Sequence, residues 1–207
     1  MPFDLWLAFV AASTVLLIIP GPTILLVMSY ALTQGRRVAV AMALGVALGD
    51  FIAMSASLAG LGALVLASAM VFTVLKWVGA VYLVYLGVKL LRSRPALMPD
   101  DLSPERKPAR AIFGHAAAVT ALNPKSIAFF IAFVPQFIRP EAALAPQFGI
   151  LIATFVTLAA LNALIYALLA DRLRARIRRP SVLRWMNRAG GGALMGMGAL
   201  TATMSRS

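Results

Sequence analysis

The chain has no cysteine, which excludes disulfides, thiol redox chemistry and thiolate metal sites. It has one histidine, His115, too few imidazoles for a histidine-based metal cluster. Acidic residues are scarce: seven Asp and Glu stand against 19 Lys and Arg among 207 residues. The formal charge of +12 would suit nucleic acid only if the basic residues clustered on one soluble face, and here they alternate with long apolar runs. Those runs fill the chain. Hydrophobic residues make up 61% of it, against about 45 to 50% in soluble domains. The composition is that of an all-α, multispanning membrane protein in a lipid bilayer, with no nucleic-acid partner, no metal and no cofactor implied.

Apolar runs set against charge predict six spans, at about 4 to 33, 38 to 65, 70 to 91, 112 to 138, 147 to 170 and 186 to 204. The start Met-Pro-Phe-Asp lacks the basic region of a cleaved signal peptide, so the first run is expected to be a span. Residues 38–91 would extend about 80 Å as helix, far beyond a bilayer core of about 30 Å. The chain is therefore expected to fold back near Leu66 to Met70. Residues 93–110 carry four prolines and mixed charge, the composition of an exposed linker. This divides the chain into a three-helix unit at 1–92, a cytoplasmic linker at 93–110 and a second three-helix unit at 111–207. Because three is odd, the second unit enters the membrane from the opposite side, and any internal repeat is inverted.

Basic residues fall almost wholly in alternate loops. All but Lys76, Lys125, Arg139 and Arg206 lie in or abut the loops after spans one, three and five, including the run from Arg172 to Arg179. Positive residues in short loops stay cytoplasmic, so both termini are expected on the non-cytoplasmic side. Small residues recur every four positions at Ala41, Gly45, Gly49, Ala53 and Ser57, and again between Gly192 and Gly196. Such stripes let helices approach closely, and the sequence leaves open whether they pack the chain on itself or form a homodimer.

Two of the runs are interrupted. Pro20-Gly21-Pro22-Thr23 breaks the first, where two prolines remove backbone donors at a depth where no water replaces them. Helix should stop before Pro20 and restart with Gly21 as N-cap and Pro22 at the first helical position. Asn123-Pro124-Lys125-Ser126 interrupts the fourth run in the same way. Matching interruptions in two halves point to a transporter's binding site. The restarted half-helices would present their positive dipole ends and free amides at the midplane, where a substrate carboxylate is stabilised.

Asp50 lies about 18 Å of helix into span two and is the only acidic residue expected to be buried within a run. A carboxylate at that depth is a candidate for binding a cation or carrying a proton, with structural pairing to a lysine as the competing reading. Lys125 is too deep to reach water easily and needs an anion, either a substrate carboxylate or Asp50. Lys76, Tyr82, Gln136 and Asn162 are further candidates for the substrate site, though Lys76 could snorkel and the others, like Thr154, could bond a neighbouring helix. His115 sits near the start of span four, where an interfacial hydrogen bond is its expected role. Together these residues suit a small zwitterion, its ammonium at Asp50 and its carboxylate at the half-helix ends.

These motifs in this order resemble the LysE/RhtB family of bacterial amino-acid exporters. The resemblance rests on Pro20-Gly21-Pro22, on Gly45, Gly49 and Asp50, on the run from Lys76 through Gly79 and Tyr82 to Gly87, and on Asn123-Pro124-Lys125 followed by Phe129-Phe130 and Pro135-Gln136-Phe137. It covers nearly the whole chain. It implies a six-span protein of the bacterial inner membrane, not an enzyme, that exports amino acids or close derivatives against protons as an antiporter. Wider relatives include thiol-disulfide electron carriers and metal-ion exporters. The lack of cysteine argues against the first, and a single buried carboxylate without membrane histidines against the second. Another small solute on the same fold, a passive channel and a membrane-embedded enzyme are the alternatives. An enzyme would need a nucleophile with its base, or a metal cluster, at membrane depth, and the sequence offers neither.

Overall fold

A computed structural model describes residues 1–67, 69–93, 107–139, 141–170 and 180–203. Eight α-helices and no strand occur among them: α1 Phe3–Ile18, α2 Pro22–Gln34, α3 Ala39–Ala67, α4 Ala69–Arg92, α5 Ala109–Ala121, α6 Pro124–Ala132, α7 Leu144–Leu168 and α8 Pro180–Thr203. Short 3-10 turns precede α3 at Arg36–Val38 and follow α6 at Val134–Phe137. The helices coincide with the six apolar runs, two of which are split into α1–α2 and α5–α6. Most of the 93–110 linker and the arginine run at 172–179 lie outside the described residues.

Both splits occur where the prolines require them. α1 ends at Ile18, and α2 restarts with Gly21 as N-cap and Pro22 at its first position; the two segments meet at a bend of 55°. α5 ends at Ala121, and α6 restarts at Pro124 with Asn123 as N-cap. The Asn123 side chain accepts a 3.0 Å hydrogen bond from the Lys125 amide, satisfying one of the donors that a helix start leaves unpaired. At the end of α2, Gly35 has φ +77°, a left-handed backbone that favours glycine as a helix stop.

Among the described residues, two stretches, Arg36–Gly60 (the turn and most of α3) and Leu144–Leu168, are each long and apolar enough to cross a membrane, and the bent pair α1–α2 makes a third. Large apolar side chains such as Phe3, Leu44, Phe51, Trp77, Ile150 and Leu161 lie on the outer surface. Water would penalise that exposure, whereas lipid does not.

α3 packs chiefly on α5 and α7, and α4 on α8, so each long helix of the first half finds its main partners in the second. The small-residue stripe of α3 works inside the chain: a Cβ on Gly49 would lie 2.5 Å from the Ala117 carbonyl oxygen of α5. Any side chain there would force the helices apart. Around Gly192 and Gly196 of α8, by contrast, a Cβ would meet nothing within 4 Å. At one end of the bundle Phe9, Phe129, Phe133, Phe137 and Phe155 form a buried aromatic cluster, with Phe9 and Phe137 5.3 Å apart in an edge-to-face contact.

Candidate functional site

The interruptions of α1–α2 and α5–α6 come together. Asn123 Nδ2 donates to Thr23 Oγ1 at 3.1 Å, and the Thr120 hydroxyl donates to the same oxygen at 3.4 Å. The starts of α2 and α6 thus meet at Thr23 and Asn123, and by helix geometry the amides of their opening residues have no intrahelical acceptor. Between them lies a cavity of about 20 Å³, room for on the order of one water molecule. Its polar lining comes from Thr23, Asp50, Asn123, Lys125, Ser126 and Asn162, and Gly21 also borders it.

Asp50 reaches this cavity from the middle of α3. Its side chain is 2% exposed, and Oδ1 is buried without a hydrogen-bond partner. The other buried side-chain atom in that condition among the described residues is Ser13 Oγ. A buried carboxylate oxygen without a donor carries an unrecovered desolvation cost, which a ligand ammonium would offset.

Lys125 was expected to need an anion. Its ammonium instead donates to the carbonyl oxygens of Leu16 at 2.9 Å and Ile19 at 2.8 Å. The physical reason is the break itself. A helix end leaves its last carbonyls unpaired and concentrates partial negative charge there, so the end of α1 serves as the lysine's counter-charge. Asn162 donates to the Leu17 carbonyl at 3.0 Å, and the Tyr166 hydroxyl donates to that of Ile18 at 3.0 Å. Four consecutive carbonyls, from residues 16 to 19, are thereby satisfied by three side chains of the second half. Asp50 and Lys125 border one cavity and their charges interact across it, but the lysine's hydrogen bonds go to the backbone.

The remaining candidates lie elsewhere. Pro20 shapes the break without lining the cavity. Pro124 starts α6 immediately behind Asn123. Tyr82 is on the outer side of α4, 38% exposed, with its ring 5.9 Å from that of Tyr85. Gln136 donates to Thr201 of α8. Lys76 belongs to α4, and its side chain lies outside the described residues. Thr154 accepts from Trp6 Nε1 at 3.0 Å, the neighbouring-helix bond expected of it. His115 Nδ1 pairs with the Tyr30 hydroxyl at 2.8 Å.

Tyr166, Thr120 and Ser13 were not among the residues singled out from the sequence. For Tyr166 a signal existed, because it follows Asn162 by four positions and therefore shares its helix face.

Comparison with known proteins identifies the family. The LysE type translocator family matches residues 14–205. An uncharacterized membrane protein of Vibrio cholerae is 37% identical over 98% of both chains. A homoserine/homoserine lactone efflux protein of Salmonella typhimurium is 36% identical over 98% of both. A leucine efflux protein of Klebsiella pneumoniae is 28% identical over 66% of this chain and 65% of its own. No solved structure matches significantly. With interrupted helices meeting at a buried carboxylate and a family match from residue 14 to 205, the chain belongs to the LysE type translocators, a family of membrane transporters.

Proposed function

We propose that the protein exports amino acids or close derivatives from the cytoplasm in exchange for protons, with Asp50 as the group that alternates between a proton and the substrate's ammonium. The observation that carries this reading is the buried Asp50 carboxylate, whose Oδ1 lacks a partner in the cavity where α2 and α6 begin. A substrate carboxylate would be received by the amides of those half-helix starts, with Thr23, Asn123, Ser126 and the third ammonium proton of Lys125 beside it. Asn162 and Lys125 hold the end of α1 against this site. The efflux names of the relatives support the substrate class.

Six spans arranged as two inverted repeats fit the geometry: α1–α2, α3 and α4 would correspond to α5–α6, α7 and α8. The mutual packing of α3 with α7 and of α4 with α8 supports a two-fold relation between the halves. In this arrangement the protein sits in the bacterial inner membrane with both termini outside.

The cavity is too small for an amino acid, so transport requires it to open on each side in turn. On the side toward the α2–α3 turn it is closed by the seam between α2 and α5, tied by Tyr30 to His115 and by the Lys107 amide to Gln34. On the other side we assign the barrier to the buried phenylalanine cluster. Export would load through the first seam and release past the second.

Efflux of radiolabelled amino acids from proteoliposomes, with and without a pH gradient, tests the reading. Wild-type protein is expected to accelerate efflux when the gradient is imposed and to lose that acceleration with a proton uncoupler; Asp50→Asn is expected to abolish it. Efflux indifferent to both the uncoupler and Asp50→Asn would mean a passive pathway.

A further inference from the structure

The cavity's charge and its apolar wall together restrict the substrate further. We infer that it accepts neutral aliphatic amino acids and rejects basic and acidic ones, and that Val46 and Ala159 set the size of side chain admitted; this rests on the exporter reading above.

The charge argument is a count. The cavity is lined by one carboxylate, Asp50, and one ammonium, Lys125. The other acidic residues that the structure describes, Asp4 and Glu141, do not line it. A zwitterion matches this pair charge for charge. The side chain of lysine or arginine would bring a second cation into a buried site with no second carboxylate to receive it, and an uncompensated buried charge is strongly disfavoured. A glutamate side chain would bring a second anion beside Asp50, while Lys125 has two of its three protons committed to Leu16 and Ile19.

The rest of the wall is hydrocarbon, supplied by Leu16, Leu17, Ile24, Val46 and Ala159. Val46 precedes Asp50 by four residues, one turn away on the same face of α3. Ala159 precedes Asn162 by three on α7, the helix packed against α3. Both are buried, Val46 at 2% and Ala159 at 1% exposure. A substrate whose ammonium is at Asp50 therefore has its side chain between one residue that can be shortened and one that can be enlarged, and neither takes part in holding the break. Pockets of this kind discriminate between side chains of different size more weakly than they reject an unpaired charge.

The test uses the full-length protein in proteoliposomes, with leucine, alanine, lysine and glutamate as probes at equal concentration. Leucine or alanine efflux at least tenfold faster than lysine and glutamate is expected. Lysine or glutamate efflux as fast as that of the neutral pair would overturn the inference while leaving the exporter reading intact; efflux of none of the four, nor of any other amino acid, would overturn both. Ala159→Val is expected to lower the leucine-to-alanine ratio several-fold, and Val46→Ala to raise it. Alanine efflux reports whether each variant is folded. Should Ala159→Val fail to insert, Val46→Ala carries the same test, and a ratio unchanged in Val46→Ala would remove the size-setting role from these positions.

Discussion

At the scale of residues, the arrangement around Lys125 separates two roles for the buried charges. If Asp50 served only to neutralise Lys125, removing both charges would restore transport. The lysine's bonds to the Leu16 and Ile19 carbonyls argue otherwise, because they give it a partner independent of Asp50. The double variant Asp50→Asn with Lys125→Gln is accordingly expected to stay inactive in gradient-driven efflux, and restored efflux would make the pair structural. Tyr166 permits a gentler probe. Tyr166→Phe keeps the ring and deletes only the donor to the Ile18 carbonyl. Hydrogen bonds between membrane helices average about 0.6 kcal/mol and reach about 1.7 kcal/mol, so detergent unfolding should register a loss within that range, with insertion unchanged.

The half-helices are the elements on which the site depends. Pro22 and Pro124 each occupy the first position of a restarted helix, and replacing either by alanine supplies a backbone donor and removes the fixed φ that preorganises the restart. Pro22→Ala and Pro124→Ala are expected to insert normally but to bind substrate more weakly; normal affinity in both would show that the breaks are merely tolerated. The α2–α5 seam calls for a different experiment, one that the absence of native cysteine makes clean. Tyr30→Cys combined with His115→Cys places thiols at a pair of positions whose side chains touch across the seam. Bridging the two with a bifunctional thiol reagent, which spans the gap left by the longer native side chains, is expected to stop efflux. Full efflux by the cross-linked protein would mean that this seam does not have to part.

For the whole molecule, the asymmetric placement of Lys and Arg makes a topological prediction. Single cysteines at Ser93 and at Ser207 should be labelled by an impermeant reagent from opposite sides of the membrane, Ser93 from the cytoplasm and Ser207 from outside. Labelling of both from outside would overturn the six-span arrangement. Replacing Gly49 by any larger residue drives a side chain into the α5 backbone, so the damage would spread through the α3–α5 contact rather than stay local.

The helices and their interruptions were legible in the amino-acid sequence because they depend on local chemistry. Apolar runs of sufficient length must be helical in lipid, proline cannot donate at Pro22 or Pro124, and Asn123 caps the residue two places on. Asp50 stood out for a similarly local reason, as the one carboxylate deep within an apolar run. Which groups meet was a different matter, since a hydrogen bond between residues about a hundred positions apart leaves no trace in spacing. Only the tertiary structure brought Thr23 to Asn123, set Tyr82 and Gln136 outside the cavity lining, and gave Lys125 the carbonyls at the end of α1 as hydrogen-bond partners. The underlying cause is that a broken helix in a membrane creates unpaired carbonyls as well as unpaired amides. The sequence announced the break, but the donors that satisfy it come from whichever helices the fold packs alongside.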